Sequence, residues 1–176
     1  MRVVAGIARG HHLRAPKGDR TRPTSDFVRE AVFATLGSLG GVAGADVIDL
    51  FAGTGALGIE ALSRGSASCL FVDEDRRAVE AIRHNLASTG LEGGAVVRNE
   101  VLRHLATQPS SVSWDLAFAD PPYAFDAWLD LAGVMAADLL VAESDRPVNL
   151  GGQWEVLKVK RYGDSVVTIA SQRRCT

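Results

Sequence analysis

The strongest indication of fold in this chain is the segment Asp49-Leu50-Phe51-Ala52-Gly53-Thr54-Gly55-Ala56-Leu57-Gly58. An apolar run from Val47 leads into it, and a helical pattern continues beyond it to Arg64, so it predicts a strand, a tight turn and a helix. The first two glycines allow the backbone to turn and to approach a ligand closely. The third allows the helix to pack against the sheet. The segment therefore predicts an α/β fold with a binding site at the end of its first strand.

A carboxylate follows at the distance that a nucleoside site requires. The second predicted strand ends in Asp73, twenty residues after Gly53, and an acid at this point can bind both ribose hydroxyls of an adenosine. The same glycine spacing is found in dinucleotide-binding proteins, so it leaves both NAD and S-adenosylmethionine open. Asp49 favours S-adenosylmethionine, because a carboxylate before the glycines can face the cationic methionine part of that cofactor and would repel a pyrophosphate.

A second strand end carries the motif Asp120-Pro121-Pro122-Tyr123, which follows the apolar run at 114–119. Two prolines cannot continue a strand, so the motif lies at the carboxyl edge of the sheet, where ligands bind. The carboxylate of Asp120 and the carbonyl of Pro121 can both accept from an amino group, and Tyr123 can stack on a base. The motif indicates a site for a flat, amino-bearing methyl acceptor; a simple strand-ending turn is the alternative.

Alternating strand and helix patterns continue from the glycine segment towards the C-terminus. Strands are predicted at 47–51, 68–73, 95–98, 115–119 and 139–143, and helices at 56–64, 75–88, 101–107 and 126–137. Repeated βα units imply a parallel sheet with helices on both faces. The tail differs, because two alternating runs at 154–162 and 166–170 flank a Gly-Asp turn and predict an antiparallel hairpin. We therefore expect a mostly parallel, seven-stranded sheet with an antiparallel C-terminal hairpin.

The N-terminal region is basic, although the whole chain has a formal net charge of −2. Residues 1–30 contain seven Lys and Arg residues against three acidic residues, a net charge of +4. A short β-hairpin is predicted around Arg9-Gly10. A basic arm on an acidic body favours contact with nucleic acid, and the alternative is a merely solvated terminus. The candidate RNA contacts are Arg2, Arg9, Arg14 and Arg22.

Composition excludes several other classes of protein. The two cysteines, Cys69 and Cys175, lie far apart, so we expect no disulfide framework. The four histidines show no metal-ligand spacing with the cysteines, so we expect no metal site. No apolar run is long enough to span a bilayer, and the first residues lack the apolar region of a signal peptide. We expect a cytoplasmic protein that acts as a monomer.

Taken together, these motifs resemble the class I S-adenosylmethionine-dependent methyltransferases that carry an (Asp/Asn)-Pro-Pro-(Tyr/Phe) motif. A closer resemblance, to the RsmD family, covers nearly the whole chain. It rests on Arg22-Pro23-Thr24, Val28-Arg29-Glu30, the glycine segment, Glu60-Ala61-Leu62-Ser63-Arg64-Gly65 and Tyr162-Gly163-Asp164. The resemblance implies a Rossmann-like fold and methylation of the exocyclic N2 of a guanine in small-subunit (16S) ribosomal RNA. It also implies that ribosomal RNA or the small ribosomal subunit is the partner.

The resemblance implies a role for each matching residue. The implied catalytic residues are Asp120, Pro121, Pro122 and Tyr123, and the implied cofactor-binding residues are Asp49, Phe51, Ala52, Gly53, Gly55, Asp73, Glu100 and Val101. S-adenosylmethionine is the implied cofactor and S-adenosylhomocysteine the product. Glu100 falls where related enzymes carry Asp near the adenine amino group. Residues 1–22 would form a basic β-hairpin extension, and residues 23–176 the methyltransferase domain.

Three other functions stay open at this point. The same amino-gripping motif could act on an adenine or cytosine of DNA, or on a protein glutamine. The glycine pattern also allows an NAD-dependent oxidoreductase. A non-catalytic RNA-binding module on a decayed enzyme fold is the third alternative, and the presence of Asp49, Asp73 and Asp120 disfavours it.

Overall fold

The computed structural model describes residues 1–15 and 26–173. The elements follow one another as α1 (Asp26–Ser38), β1 (Asp46–Leu50), α2 (Ala56–Ser63), β2 (Ser68–Asp73), α3 (Arg76–Thr89), β3 (Gly94–Arg98), α4 (Val101–Ala106), β4 (Trp114–Ala119), α5 (Trp128–Val134), β5 (Ala137–Ser144), β6 (Trp154–Tyr162) and β7 (Ser165–Gln172). The seven strands form one sheet in the order β3-β2-β1-β4-β5-β7-β6. β1 to β5 pair in parallel, and β7 pairs antiparallel with both β5 and β6. The predicted fold class is confirmed.

The sheet has a helical layer on each face, as its alternating side chains require. On one face, Val47 of β1, Phe71 of β2 and Phe118 of β4 pack with residues of α1, α2 and α3. On the opposite face, Ile48, Leu50 and their neighbours pack with α4 and α5. Both layers leave the carboxyl ends of β1, β2 and β4 at one edge of the sheet, where α/β proteins bind ligands.

Element bounds agree with the sequence prediction to within a few residues, and α5 differs most. The sequence pattern predicts a helix over 126–137, whereas α5 runs only from Trp128 to Val134. At its start, the backbone N–H of Phe125 donates to the carbonyl of Pro122 (2.8 Å), which keeps the preceding residues in a turn. At its end, Met135 adopts an extended backbone and is buried, so the chain passes directly into β5. Local turn geometry and core packing thus shorten the helix.

The predicted N-terminal β-hairpin is reduced to one antiparallel bridge between Arg2 and His12. Backbone hydrogen bonds still join its two arms, from the N–H of Val3 to the carbonyl of His11 and from the N–H of Gly10 to the carbonyl of Val3, both at 2.9 Å. Turn residues occupy most of the segment between them. Val3, Ala8 and Leu13 are buried in the same core cluster as α1 and α2. The segment is therefore packed on the main body. The predicted boundary between residues 22 and 23 lies outside the described residues.

Candidate active site

Asp49, Asp73 and Asp120 come together at the carboxyl edge of the sheet. In register, Asp49 of β1 lies beside Phe71 of β2 and Phe118 of β4. Side chains two residues apart in a strand point to the same face, so Asp73, the last residue of β2, projects to the same face as Asp49. Asp120 follows directly after β4, and its charge acts on Asp49 together with that of Asp73. The order of the strands, with β1 between β2 and β4, places Asp49 between the other two carboxylates. The aspartates implied in binding the cofactor and the methyl acceptor thus lie close together at the carboxyl edge of the sheet.

Asp49 lies almost wholly out of solvent, with 2% of its surface exposed. Its Oδ2 accepts a hydrogen bond from the backbone N–H of Gly58, in the first turn of α2, at 2.9 Å. Burial raises the pKa of Asp49 well above its usual value, the Gly58 hydrogen bond opposes this, and the charges of Asp120 and Asp73 raise the pKa further. A positive group bound here would be stabilised by the acidic surroundings.

The raised pKa predicts how stability depends on pH. The folded state holds the Asp49 proton more tightly than the unfolded state, so the contribution of Asp49 is full below its unfolded pKa of about 3.9 and is lost as pH rises through the folded pKa. Asp49→Asn removes this loss. In urea unfolding from about pH 4 to about pH 8, the variant should gain stability relative to the wild-type chain as pH rises. Parallel curves would contradict the burial effect.

The glycine loop is bent by left-handed backbone conformations. Phe51, Gly53 and Gly55 have φ values of 55°, 56° and 75°, and among the described residues Phe51 alone adopts positive φ without being glycine. Asp73 holds this loop, because its Oδ2 accepts from the N–H of Gly53 at 2.8 Å. Ala52 is buried, and its N–H donates to Val72 of β2 at 3.2 Å. The ribose-binding candidate therefore also fixes the shape of the loop.

Gly58 has a packing role in the same loop-helix unit. A Cβ at this position would lie 2.3 Å from Cε1 of Phe71 and 2.5 Å from Sγ of Cys69. Around Gly53, by contrast, a Cβ would meet only the carbonyl of Phe51, at 3.8 Å. The two glycines therefore differ: one permits close helix–sheet packing, and the other leaves room beside the loop for a ligand.

The loop at residues 120–123 presents a base-sized ring next to the glycine loop. Pro121 is buried, whereas Tyr123 is 43% exposed, and its hydroxyl lies 3.5 Å from Oγ of Ser165 in β7. Phe125 joins the two loops, because its ring packs edge-on against Phe51 with centroids 5.1 Å apart. This aromatic contact places the two loops side by side.

Glu100 and Val101 have local structural roles. Glu100 is the N-cap of α4, where its two carboxylate oxygens accept from the N–H groups of Leu102 (2.9 Å) and Arg103 (2.7 Å). Val101 is buried in the core on the α4 face. Asn99, which precedes them, donates its N–H to the carbonyl of Asp73 at 3.1 Å. The pair therefore lies beside the ribose-binding candidate, and its contact with adenine stays a prediction.

Asn85 of α3 is a site residue that sequence reasoning missed. Its amide is fully buried, accepts from the N–H of Arg14 (2.8 Å), and donates to the carbonyls of Arg14 (3.1 Å) and Thr54 (2.9 Å). It thereby ties the N-terminal segment to the glycine loop. The hydroxyl of Thr54 also contacts Sδ of Met1 at 3.7 Å. An asparagine on the inner face of an amphipathic helix was the only available signal.

Glu60 is the second residue whose role only the structure reveals. It is fully buried, and its carboxylate accepts from the N–H groups of Val4 (2.7 Å) and Ala5 (2.9 Å) and from Nε of Arg64 (2.8 Å). Ser63, one turn further, accepts from Ala8 (3.0 Å). These residues belong to the segment 60–65 that supported the family resemblance. That segment therefore fastens the N-terminal residues to α2.

The basic residues of the N-terminal segment lie at its surface. Arg2, Arg9 and Arg14 are exposed, and Arg22 lies outside the described residues. Arg2 and Arg9 line an open cavity of about 610 Å³ between the N-terminal segment and α1, together with Phe27 and Arg64. Acidic residues of α1 share this cavity. The three described arginines are thus accessible to a large ligand.

Two further features bear on the class of protein. Within residues 1–15 and 26–173, no helix is both long enough and apolar enough to cross a membrane. The same residues contain no cluster of three or more side chains suited to hold a metal ion.

Comparison with known proteins decides the family. A family model described as "Conserved hypothetical protein 95" matches residues 1–171. The chain belongs to this family. One relative, "Putative rRNA methyltransferase YlbH" of Bacillus subtilis, is 38% identical over 98% of this chain and 100% of its own length. "Ribosomal RNA small subunit methyltransferase D" of Escherichia coli is 35% identical over 70% of this chain and 60% of its own length. The RsmD assignment from sequence motifs is confirmed.

A solved structure supports the family assignment at the level of the fold. "Putative methyltransferase yhhF" from Escherichia coli superposes with a TM-score of 0.85 at 28% identity, over 98% of this chain and 97% of that one. The superposition covers almost all of both chains, so the similarity is not confined to part of the sheet.

Proposed function

We propose that this chain transfers a methyl group from S-adenosylmethionine to the exocyclic N2 amino group of a guanine in 16S ribosomal RNA. The observation that carries the proposal is that Asp49 of β1 lies beside Asp120, which follows directly after the adjacent parallel strand β4. The relatives named as ribosomal RNA methyltransferases support the substrate class. We further propose that it acts as a cytoplasmic monomer without a metal, with residues 1–22 as a substrate-contacting segment on the methyltransferase domain of residues 23–176.

The residues at the glycine loop fit S-adenosylmethionine. The bent backbone at Gly53 leaves space beside the loop, Asp73 stands at the end of β2 to bind ribose hydroxyls, and the acidic environment of Asp49 suits a cationic amino acid group. Phe51 and Ala52 would line the cofactor, and Glu100 and Val101 would lie near its adenine. When bound, this cofactor supplies an electrophilic methyl group on a sulfonium.

The loop at 120–123 would activate and hold the acceptor. The lone pair of a guanine amino group is delocalised into the ring, so the free base is a poor nucleophile. The carboxylate of Asp120 and the carbonyl of Pro121 would accept both amino hydrogens, which raises electron density on the nitrogen and orients its lone pair. Pro122 limits the movement of the loop, and Tyr123 would stack on the base. Positioning and electrostatics supply the rate, with no covalent enzyme intermediate.

A base stacked within RNA has to leave its stack to reach this loop. The exposed ring of Tyr123 provides a surface for a base in that position. The same two acceptors could also bind the amino group of an adenine or cytosine in DNA, or a glutamine amide. The relatives named as ribosomal RNA methyltransferases favour ribosomal RNA over these substrates.

The proposed function is tested by nucleoside mapping. Small ribosomal subunits from cells that lack the protein are incubated with the purified protein and labelled cofactor, and the RNA is digested and analysed by mass. We expect the label in N2-methylguanosine. Label in another nucleoside would overturn the base assignment, and label in a subunit protein would overturn the substrate class. Thermal stabilisation by S-adenosylhomocysteine but not by NAD is expected in parallel, and the reverse would favour an oxidoreductase.

The exposed arginines predict a salt-dependent RNA affinity. Changing Arg2, Arg9 and Arg14 to Gln should weaken binding to small subunits and reduce the slope of log affinity against log salt by about 0.7 to 0.9 for each phosphate that is no longer neutralised. Gln at Arg76, an exposed arginine of α3 that lies near Glu80 (3.7 Å), is the control. An unchanged slope in the triple variant would assign these arginines to the solvated surface.

A further inference from the structure

Phe27 is the most exposed aromatic side chain among the described residues, with 68% of its surface accessible. It lies in the first turn of α1, and its ring meets the ring of Tyr162 edge-on, with centroids 5.9 Å apart. A large apolar ring left in water in this way makes no contribution to the core. Phe27 has no role in the proposed binding of the cofactor or of the guanine amino group.

A series of contacts links Phe27 to the acceptor loop. The hydroxyl of Tyr123 lies 3.5 Å from Oγ of Ser165, and Ser165 is the direct cross-strand partner of Tyr162. Opposed side chains in an antiparallel pair project to the same face. Ser165 lies two residues before Val167, which packs on the α1 face. Tyr123, Tyr162 and Phe27 therefore lie along one face, with the acceptor loop at one end.

Two lysines accompany this aromatic row. Nζ of Lys160 lies 5.0 Å from the ring centroid of Tyr162. Nζ of Lys158 donates to the hydroxyl of Thr35 in α1 at 3.0 Å, which holds it on the same face. Within the part of the chain that the structure describes, neither lysine takes part in an ion pair. Asp26 and Glu30 of α1 line the cavity beside Phe27, and Asp164 lies in the turn between β6 and β7.

We propose that Phe27 and Tyr162, with Lys158 and Lys160, form a second nucleotide site that stacks a base flanking the target guanine. This proposal rests on the proposed function, because it places the flanking part of the same RNA strand. Exposed aromatic rings bind unstacked bases of single-stranded RNA, and nearby lysines bind the phosphates between them. When the target base is splayed out towards Tyr123, its neighbour loses a stacking partner. The ring of Phe27 replaces that partner.

The chemistry of the row favours RNA over a protein partner. The ring of Phe27 contacts Tyr162 and lines the open cavity that also holds Arg2, Arg9 and Arg64. Lys158 and Lys160 line a smaller pocket beside Tyr162. Five basic side chains therefore surround the two rings, which suits the phosphates of RNA better than an apolar protein face. The position of the row next to the loop at residues 120–123 provides a second reason. Any RNA strand that places a guanine against Tyr123 must continue across the protein surface beside that loop.

The test compares methylation of small ribosomal subunits by three variants of Phe27. Phe27→Ala should raise KM for the subunits about five-fold or more, the lower end of what stacking one base on an aromatic ring contributes. The turnover number and the affinity for S-adenosylmethionine should stay at wild-type values, because the site binds ground state and transition state alike. Phe27→Tyr should keep the wild-type KM, and Phe27→Leu should behave as Phe27→Ala does.

A control variant and the three Phe27 variants together distinguish a stacked base from an apolar protein contact and from the absence of any role. Leu129→Ala, at a residue of α5 that is 54% exposed on the opposite face, is the control and should leave KM unchanged. If Phe27→Leu keeps the wild-type KM, Phe27 makes an apolar contact with a subunit protein and does not stack on a base, and the proposal is overturned. If Phe27→Ala keeps it while the wild-type protein methylates the subunits, only this proposal is overturned. If the wild-type protein transfers no methyl group to the RNA, the proposed function is overturned together with it.

Discussion

Replacing Asp120 with Ala will reduce turnover by about 10²- to 10³-fold, the range seen when one preorganised polar contact to a reacting group is removed. The carboxylate is one of two acceptors proposed for the guanine amino group, and without it the nitrogen is neither activated nor oriented. Cofactor affinity should change little, because the loop that holds the cofactor is anchored by Asp73 instead. The measurements are single-turnover methylation of small subunits and calorimetry with S-adenosylhomocysteine.

Two further variants make this test specific. Asp120→Asn keeps one carbonyl acceptor, so its loss of turnover should be smaller than that of the Ala variant. Asp73→Ala should do the opposite of Asp120→Ala, because it removes the ribose acid and frees the N–H of Gly53 from its 2.8 Å hydrogen bond. Its main effect should be weaker cofactor binding. Wild-type turnover in Asp120→Ala would remove this aspartate from the mechanism.

Glu60→Ala should destabilise the protein by about 3 to 5 kcal/mol, as expected when one partner of a buried charged network is removed. The change leaves the N–H groups of Val4 and Ala5 without their carboxylate acceptor and removes the partner of Arg64. Arg29, fully buried in α1, also loses a stabilising negative charge. Urea unfolding measures the loss. Limited proteolysis should show that cleavage within the first fifteen residues becomes faster.

Glu80→Ala provides the matched control for this variant. Glu80 also lies four residues from an arginine on a helix, but both partners are well exposed, at 60% for Glu80 and 73% for Arg76. An exposed pair of this kind contributes little, so this variant should lose less than about 1 kcal/mol. Equal losses of stability in the two variants would show that Glu60 acts through its ion pair within the helix and not by attaching the N-terminal segment.

Local sequence signals predicted most of the sheet and the centre of the site. The glycine segment and the diproline motif both mark strand ends, and a parallel sheet brings strand ends together at one edge. The approach of Asp49 to Asp120 therefore followed from their positions on strands. The C-terminal hairpin was also predicted, because alternation around a Gly-Asp turn is a local pattern.

The missed features depend on contacts between distant parts of the chain. Glu60 accepts hydrogen bonds from backbone N–H groups that lie 55 and 56 positions away in the sequence. Asn85 accepts one from a backbone N–H that lies 71 positions away. No local pattern distinguishes a buried glutamate that holds a distant backbone from one on a solvated helix face. The arms of the N-terminal hairpin are joined by backbone hydrogen bonds, but its attachment to α2 through Glu60 and Ser63 could not be predicted for the same reason.

The left-handed backbone of Phe51 is strained, and the packing of its ring offsets that strain. A bulky residue in this conformation costs on the order of 1 to 3 kcal/mol, which a glycine would not incur. Glycine would also remove the ring that meets Phe125 and joins the two halves of the site. Because the ring also packs against the core on the α4 and α5 face, glycine at position 51 would exchange relieved strain for lost packing, and selection for thermal tolerance alone should favour neither residue strongly. Evolution under selection for methylation should keep the aromatic ring despite its strain.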